Sequence, residues 1–360
     1  MNNTSKVKRI LYIMPVLSVG GASRLMSEII PRINQSQEYE VEFLINRCID
    51  SSFMPKFEKA GIKVHELKSS RIYSPLNIFQ IAKYIKGYDL IHANLFPTLY
   101  WTAIANIFSR RTLVYTEHST SNSRRNKRYF RLIEKWVYKQ YDKIISISDG
   151  TEKNLREWVQ ARNDDKRFVV INNGVDLAAF RKIKHESVYP QTLIMIGRFA
   201  PSKDQKTVIR AMPLLNDEVH LILVGDGELI GSCKELAREI RVSGRVHFVG
   251  TQADVPSWIG KADVGILSSH WEGFGLTAVE MMAGGLPVVA CDIDGVKQVV
   301  DGAGVLFPHE DYKALAYILS KLLNDTAYYD DVKQKCKERC DKYDIKTMVE
   351  SYIDVYKNLL

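Results

Sequence analysis

The 360-residue sequence has no apolar run of about 18 residues, the length a membrane-spanning helix requires, so no stretch of it reads as a transmembrane segment. Cysteine is scarce: five residues, scattered, with no Cys-x-x-Cys pair. Cys336 and Cys340 stand at helical spacing but have no neighbouring His or Cys, which argues against a zinc ribbon and for a reduced, cytoplasmic compartment. Internal repeats and low-complexity tracts are also missing, which argues against solenoids and disordered tails. A secretory leader is not expected either. Met1 to Arg9 is polar and basic, and the apolar segment Ile10 to Val19 contains Pro15 and runs into Gly20-Gly21, as a first β-strand would.

What is abundant is positive charge. The net charge is +8, and eight basic residues fall between Arg124 and Lys143 against only Glu134 and Asp142. Helical spacing puts Arg124, Arg128, Arg131, Lys135 and Lys139 on one face, with Phe130, Ile133, Trp136, Val137 and Tyr141 on another. Such a helix either rests on an anionic membrane surface or is a surface helix with a solvated basic face.

Short apolar runs alternate with helical patterns along the whole chain. Strands are expected at Val7–Met14, Glu40–Asn46, Ile62–Leu67, Asp89–His92, Thr112–Glu117, Lys143–Ser148 and Phe168–Asn172. Between the first two, the spacing of Leu25, Met26, Ile29, Ile30 and Ile33 predicts a helix that Pro31 should kink or end early. The stretch Arg181–Gln191 lacks periodicity, ends near Pro190 and reads as a linker. Strands then resume at Thr192–Ile196, His220–Val224, Arg245–Val249, Val264–Leu267, Pro287–Cys291 and Val305–Phe307, and after Tyr312 the chain reads as helix to its end. This alternation predicts an α/β protein of two doubly wound domains, each a parallel sheet covered on both faces. The expected division is residues 1–183 and 184–342, with 343–360 a helix crossing back to the first domain.

The most informative segment is Ser268-Ser269-His270-Trp271-Glu272-Gly273-Phe274-Gly275-Leu276-Thr277-Ala278-Val279-Glu280. It reads as a glycine-rich turn between a buried strand and a helix, so unpaired N–H groups at the helix start favour an anion. Glu272 and Glu280 bracket it, and carboxylates accept from hydroxyls rather than bind phosphate. Phosphates and a polyol in one ligand describe a nucleotide sugar. Gly197-Arg198 with Lys203 closes an earlier strand and supplies a forked donor and a point charge for a diphosphate. Gly225-Asp226-Gly227 ends the next strand and permits close backbone approach. Asp292-Ile-Asp294 has the spacing of a metal-binding pair, but Gly295 makes it read as a turn, so no metal ligand is assigned.

In this order and spacing the motifs resemble the retaining GT-B glycosyltransferases of family 4, which use nucleotide sugars. Gly20-Gly21-Ala22, Asn173-Gly174-Val175-Asp176 with Phe180, Phe248-Val249-Gly250 and Gly284-Gly285-x-Pro287 extend the resemblance over nearly the whole chain. One departure is Gln298, where relatives commonly have Glu. The resemblance implies the GT-B fold: two Rossmann-like domains facing a central cleft, with C-terminal helices packing back on the first. It implies that Arg198 and Lys203 hold the diphosphate and that Glu280 binds the ribose. Glu272 and the backbone of Gly273, Phe274 and Gly275 would position the hexose, while Leu276 and Thr277 donate to the phosphates. Gly20, Gly21, Gly197 and Gly225 would line the nucleotide-sugar site, and His118 would approach the donor sugar. The reaction implied is transfer of a hexose or N-acetylhexosamine, from a UDP-sugar rather than GDP-mannose, to a lipid-linked glycan of a surface polysaccharide. No cofactor or metal and no nucleic acid is expected, and the place of action would be the cytoplasm or the inner face of the membrane. Two other readings are a nucleotide-sugar epimerase on a similar scaffold and an inactive nucleotide-sugar-binding protein. An epimerase would need acid and base groups flanking the sugar, and no set beyond Glu272 and His118 is recognisable. An inactive protein would be expected to have lost some of Arg198, Lys203, Glu272 and Glu280, which are all present.

Overall fold

The structure, a computed structural model, describes residues 7–18, 20–69, 71–120 and 123–360. Of the basic N-terminal segment, residues 1–6 lie outside the described residues, as does Val19. In chain order the first half forms β1 (Lys8–Leu17), α1 (Gly21–Gln35), β2 (Tyr39–Cys48), α2 (Met54–Lys59), β3 (Val64–Glu66), α3 (Leu76–Ile85), β4 (Leu90–Asn94), α4 (Thr98–Asn106), β5 (Thr112–Glu117), α5 (Arg128–Tyr138), β6 (Lys143–Ser146), α6 (Asp149–Val159) and β7 (Phe168–Val170). The second half forms α7 (Leu177–Phe180), β8 (Gln191–Ile196), α8 (Gln205–Ala211), β9 (Val219–Val224), α9 (Ile230–Glu239), β10 (Val246–Phe248), α10 (Val255–Ile259), β11 (Val264–Leu267), α11 (Leu276–Ala283), β12 (Val288–Cys291), α12 (Lys297–Val300), β13 (Val305–Phe307), α13 (Tyr312–Asn324), α14 (Thr326–Cys340) and α15 (Ile345–Lys357). Every strand expected from the apolar runs is present, with ends shifted by a few residues.

The chain divides into two units, Met1–Gly174 with Ile345–Leu360 and Val175–Asp344. In the first, seven parallel strands run in the order β3-β2-β1-β4-β5-β6-β7; in the second, six run β10-β9-β8-β11-β12-β13. Each order reverses direction once, between β1 and β4 and between β8 and β11, and such switch points are where open α/β sheets hold ligands. Strand β1 shows why its sequence is apolar without alternation. Ile10, Tyr12 and Met14 enter one core with Met26, Ile29 and Ile33 of α1, while Leu11 and Ile13 enter the other with Ile81, Leu99 and Leu155. Successive side chains point to opposite faces, and both faces are covered.

Pro31 does not end α1, which continues to Gln35. Pro31 and its neighbours Ile29, Ile30 and Ile33 are buried, and a fully buried isoleucine gains about 1.5–3 kcal/mol. Packing of this face offsets the roughly 3 kcal/mol that an interior proline costs.

Helix α15 belongs to the first unit. Its Ile345, Met348, Val349, Tyr352, Ile353 and Tyr356 recur at helical spacing and are buried in the core that includes α1. Its hydroxyls complete a buried polar chain. His92 of β4 meets the Tyr356 hydroxyl through Nδ1 at 2.6 Å and Thr116 Oγ1 through Nε2 at 2.8 Å, and Tyr356 also bonds the Tyr12 hydroxyl. Tyr352 reaches Thr116 at 3.2 Å, and the His92 ring stacks with both Tyr12 and Tyr352. Burial holds the His92 imidazole well below its ordinary pKa, so it is neutral and both ring nitrogens are used.

The stretch read as a linker belongs to the second unit. Glu186 N–H donates to Gly260 O at 2.8 Å, Ser187 Oγ to Asp263, and His185 Nε2 meets Gly284 O. The chain passes between units earlier, after Gly174, where Val175 N–H donates to Tyr343 O at 2.9 Å.

Tyr356→Phe keeps the apolar bulk but leaves Tyr12 Oη and His92 Nδ1 short of a buried partner. It should lower stability by about 1–3 kcal/mol, read from the urea midpoint. An unchanged midpoint would mean that water replaces the lost hydroxyl.

Candidate active site

The second unit's site is built on backbone placed against backbone. Beyond β8, Gly197 N–H donates to Val224 O at 2.9 Å, and Phe199 N–H donates to Asp226 O at 3.0 Å. This draws the Gly197–Phe199 loop onto the loop after β9. Gly225 has φ +136°, and a Cβ there would lie 2.1 Å from Gly197 O, so only glycine fits. Arg198 rides on this pair exposed, and its guanidinium has no hydrogen-bond or ion-pair partner among the described residues.

The loop after β11 is fastened to the segment before α8. Asp204 N–H donates to Ser268 O at 3.1 Å, Lys203 bridges to Ser269, and His270 N–H donates to Ser202 O at 2.9 Å. Asp204 also caps α8 through Thr207 N–H and accepts from Ser268 Oγ at 3.2 Å. The Lys203 stem lies along Gly197, and its ammonium ion-pairs with the Glu272 carboxylate. Lys203 and Glu272, expected to serve different parts of one ligand, are therefore direct partners. Gly275, at φ +81°, caps α11, which puts the N–H groups of Leu276 and Thr277 in its first turn. Glu280 is buried on that helix one turn further on. Phe274 is buried with its ring edge-on to Tyr343, so only its backbone is available to a ligand. Gly295, at φ +83°, presses on this loop from β12's side: a Cβ would lie 2.4 Å from Glu272 O. The backbone carbonyl of Gln298 accepts from Tyr343 Oη at 3.0 Å and from Arg339 at 3.3 Å, which ties α12 to α14 and the turn after it. Asp292 is engaged by Lys297 at 3.1 Å.

Gly20, Gly21 and His118 belong to the other unit. Gly20 is the N-cap of α1, in extended conformation, and an added Cβ would meet nothing within 4 Å. The fold itself does not require glycine there. His118 follows β5 and meets Asn94 Oδ1 through Nε2 at 3.0 Å. Asn94 Nδ2 donates to His92 O at 3.3 Å, which orients the amide with its oxygen toward His118. Nε2 therefore carries the proton and Nδ1 keeps its lone pair. Burial draws the His118 pKa down to about 4.

Sequence reasoning missed the carboxylates beneath this loop. Glu117 is buried, accepts from Tyr138 Oη at 2.7 Å, lies 3.5 Å from Arg125 Nη2, and is raised in pKa by burial. Glu134 is fully buried and accepts from Arg124 Nε at 2.7 Å, Tyr100 Oη at 2.8 Å and Trp158 Nε1 at 2.5 Å. A glutamate inside the apolar run Leu113–Glu117 was the available signal.

The basic stripe needs correction. Arg124 is not on the helix; it lies in the short 3-10 turn Ser123–Asn126, paired with Glu134 and set over the Phe96 ring at 4.0 Å. Arg131 donates to Trp158 O at 2.8 Å and Glu157 O at 3.2 Å. Lys135 Nζ reaches Gln160 at 3.3 Å, and Arg128 and Lys139 are exposed. The outward side of α5 is instead apolar: Tyr129, Leu132, Ile133 and Trp136 are 58%, 75%, 43% and 44% exposed. Buried Glu134 draws Arg124 inward and leaves this face outward.

Comparison with known proteins gives two family matches, Glycosyltransferase Family 4 over residues 19–179 and Glycosyl transferases group 1 over residues 190–325. The phosphatidyl-myo-inositol mannosyltransferase of Mycolicibacterium smegmatis is 28% identical over 306 residues, 80% of this chain and 76% of that protein. The N-acetylgalactosamine-N,N'-diacetylbacillosaminyl-diphospho-undecaprenol 4-alpha-N-acetylgalactosaminyltransferase of Campylobacter jejuni is 24% identical over 346 residues, 91% of this chain and 93% of that protein. Among solved structures, Anabaena HepE in complex with UDP and glucose is similar with a TM-score of 0.85 at 21% identity, over 98% of this chain and 100% of that one. That likeness is one of fold, and it bears out the two Rossmann-like units of the GT-B class.

Because its folded pKa of about 4 lies below the ordinary 6.5, His118 contributes stability that is complete above pH 6.5 and lost as pH falls toward 4. The full loss is about 3 kcal/mol. Ring resonances of His118 should stay those of a neutral imidazole from about pH 7.5 to about pH 5, while urea stability declines over the lower part of that range. Titration of the ring near its ordinary value would show it open to water.

Proposed function

Since this chain belongs to the family 4 glycosyltransferases, we propose that it moves a hexose or N-acetylhexosamine from a UDP-sugar, in preference to GDP-mannose, to a lipid-linked glycan of a surface polysaccharide. The observation that carries the reading is the convergence of Arg198, the Lys203–Glu272 pair, the start of α11 and buried Glu280 at the β8/β11 switch point. Departure of a nucleoside diphosphate builds negative charge. Arg198, Lys203 and the N–H groups of Leu276 and Thr277 are preorganised donors for it, so no catalytic metal is invoked. Lys203 reaches the diphosphate by exchanging partners with Glu272, which frees that carboxylate for hexose hydroxyls beside the backbone of Gly273–Gly275. Glu280 accepts from the ribose. His118, neutral, is assigned to the sugar rather than the phosphates, because it offers them no charge. Retention follows if the acceptor hydroxyl attacks from the face the diphosphate leaves, with the phosphate taking the proton.

UDP bound to the similarly folded Anabaena protein and the undecaprenol-linked acceptor in the Campylobacter relative's name support the donor and acceptor proposed. The Mycolicibacterium and Campylobacter relatives are both named as transferases, which speaks against epimerisation. No described helix is long and apolar enough to cross a membrane. The exposed apolar side of α5 with its basic margins is what supports placing the enzyme peripherally at the inner face. Contact would be made by α5: Tyr129, Leu132, Ile133 and Trp136 enter the interface, with Arg128, Lys135 and Lys139 toward anionic headgroups.

Arg198→Ala should lower turnover about a hundredfold. Glu280→Ala should weaken calorimetric binding of UDP. Glu272→Gln should spare it, since Lys203 is then released, while transfer fails. Loss of UDP binding in Glu272→Gln would refute this division of roles.

In sedimentation with anionic vesicles, changing Arg128, Lys135 and Lys139 to Gln should remove the salt-sensitive part of binding, about 1 kcal/mol per charge. Leu132→Gln with Trp136→Gln should remove the part that persists at high salt. Equal sedimentation of all three proteins would leave α5 an ordinary surface helix.

A further inference from the structure

Away from the transfer chemistry, the loops after β11 and β13 bring two imidazoles and a carboxylate to one point. His270 Nδ1 lies 3.1 Å from His309 Nε2 and 3.2 Å from Glu310 Oε1. The three ligand atoms all lie within 4.8 Å of one another, the one such His, Cys, Asp and Glu group among the described residues. We propose that His270, His309 and Glu310 form a binding site for a divalent transition-metal ion, zinc foremost. All three atoms bear lone pairs. His270 Nδ1 has at most one proton, which it can give to His309 or to Glu310, not fully to both. A cation satisfies all three together. Zinc bonds of about 2.0–2.2 Å in tetrahedral geometry set ligand atoms about 3.3 Å apart, close to the two separations that His270 makes. Two imidazole nitrogens with one carboxylate oxygen suit zinc, nickel or copper rather than magnesium or calcium.

The site has a path for the ion and an open coordination position. His309 and Glu310 are exposed, and His270 and Glu310 border an open cavity of about 600 Å³ that Lys206, Arg210 and Tyr312 also line. The ion would join two loops that the chain separates widely. One of them contains Glu272 two residues on, and its backbone is fastened to Ser202 and Lys203. A bound ion would thus pin the loop that carries Glu272 to the loop before α13. It touches no group assigned to the donor, so its presence can be read without turnover. A second imidazole pair, His220 and His247 at 3.0 Å, stacks on Tyr189 and has no third ligand among the described residues, which makes it the internal control.

Untagged protein, stripped with EDTA and desalted, is titrated with zinc chloride by calorimetry and by competition with a chromogenic chelator. The expected result is a single zinc ion per chain, a rise in melting temperature on binding and no competition from magnesium. His309→Gln and Glu310→Gln should each weaken zinc binding by about tenfold or more and abolish the thermal shift. His220→Asn should leave both unchanged. Absence of zinc binding by the wild type, equal binding by wild type and His309→Gln, or loss of binding only in His220→Asn would each overturn the proposal and leave a hydrogen-bonded surface cluster.

Discussion

The second unit's candidate site depends on backbone meeting backbone too closely for any side chain. Gly225 lies against the carbonyl of Gly197, and Gly295 lies against the carbonyl of Glu272. These contacts lock the loops after β8 and β9, and those after β11 and β12, in pairs, and the bonds of Asp204 to Ser268 and of His270 to Ser202 join the two pairs into one surface. Because the loops are held by main-chain bonds such as Gly197 N–H to Val224 O, their positions do not depend on flexible side chains. Arg198, Lys203 and Glu272 are then presented from a rigid base.

The other unit reaches rigidity by a different route. One face of its sheet is covered by α15, whose two tyrosines close a buried chain running through His92, Tyr12 and Thr116. A buried polar group costs stability unless it is bonded, so this chain admits one seating of α15. The same rule operates under the loop after β5. Glu117 and Glu134 are buried and must be matched, and they are matched by Tyr138, Arg125, Arg124, Tyr100 and Trp158. The loop that begins at His118 is therefore anchored from below by charge pairs, while His118 itself is kept neutral by burial.

Charge in this protein is spent inside before it is shown outside. Arg124 and Arg131 contribute to a basic segment by composition, yet one neutralises a buried glutamate and the other bonds carbonyls near the end of α6. What α5 exposes is aromatic and aliphatic surface with basic residues at its margins. On the reading proposed above, that combination would engage a bilayer by insertion as well as by attraction.

The sequence by itself determined the alternation of strands and helices, because apolar periodicity and turn glycines are local properties. It also determined which loops of the second unit share one sheet edge. Gly197-Arg198, Gly225 and the segment from Ser268 to Glu280 each follow a strand directly, so a parallel sheet must bring them to one edge. Tertiary structure decided what those residues do with one another. The Lys203–Glu272 pair, the Arg124–Glu134 pair and the meeting of His270 with His309 and Glu310 join positions far apart in the chain. No local pattern encodes them, since each depends on which surfaces packing brings into contact. The passage of α1 through Pro31 and the assignment of residues 175–190 to the second unit were decided in the same way. In both, burial and long-range hydrogen bonds outweighed a local signal that pointed elsewhere.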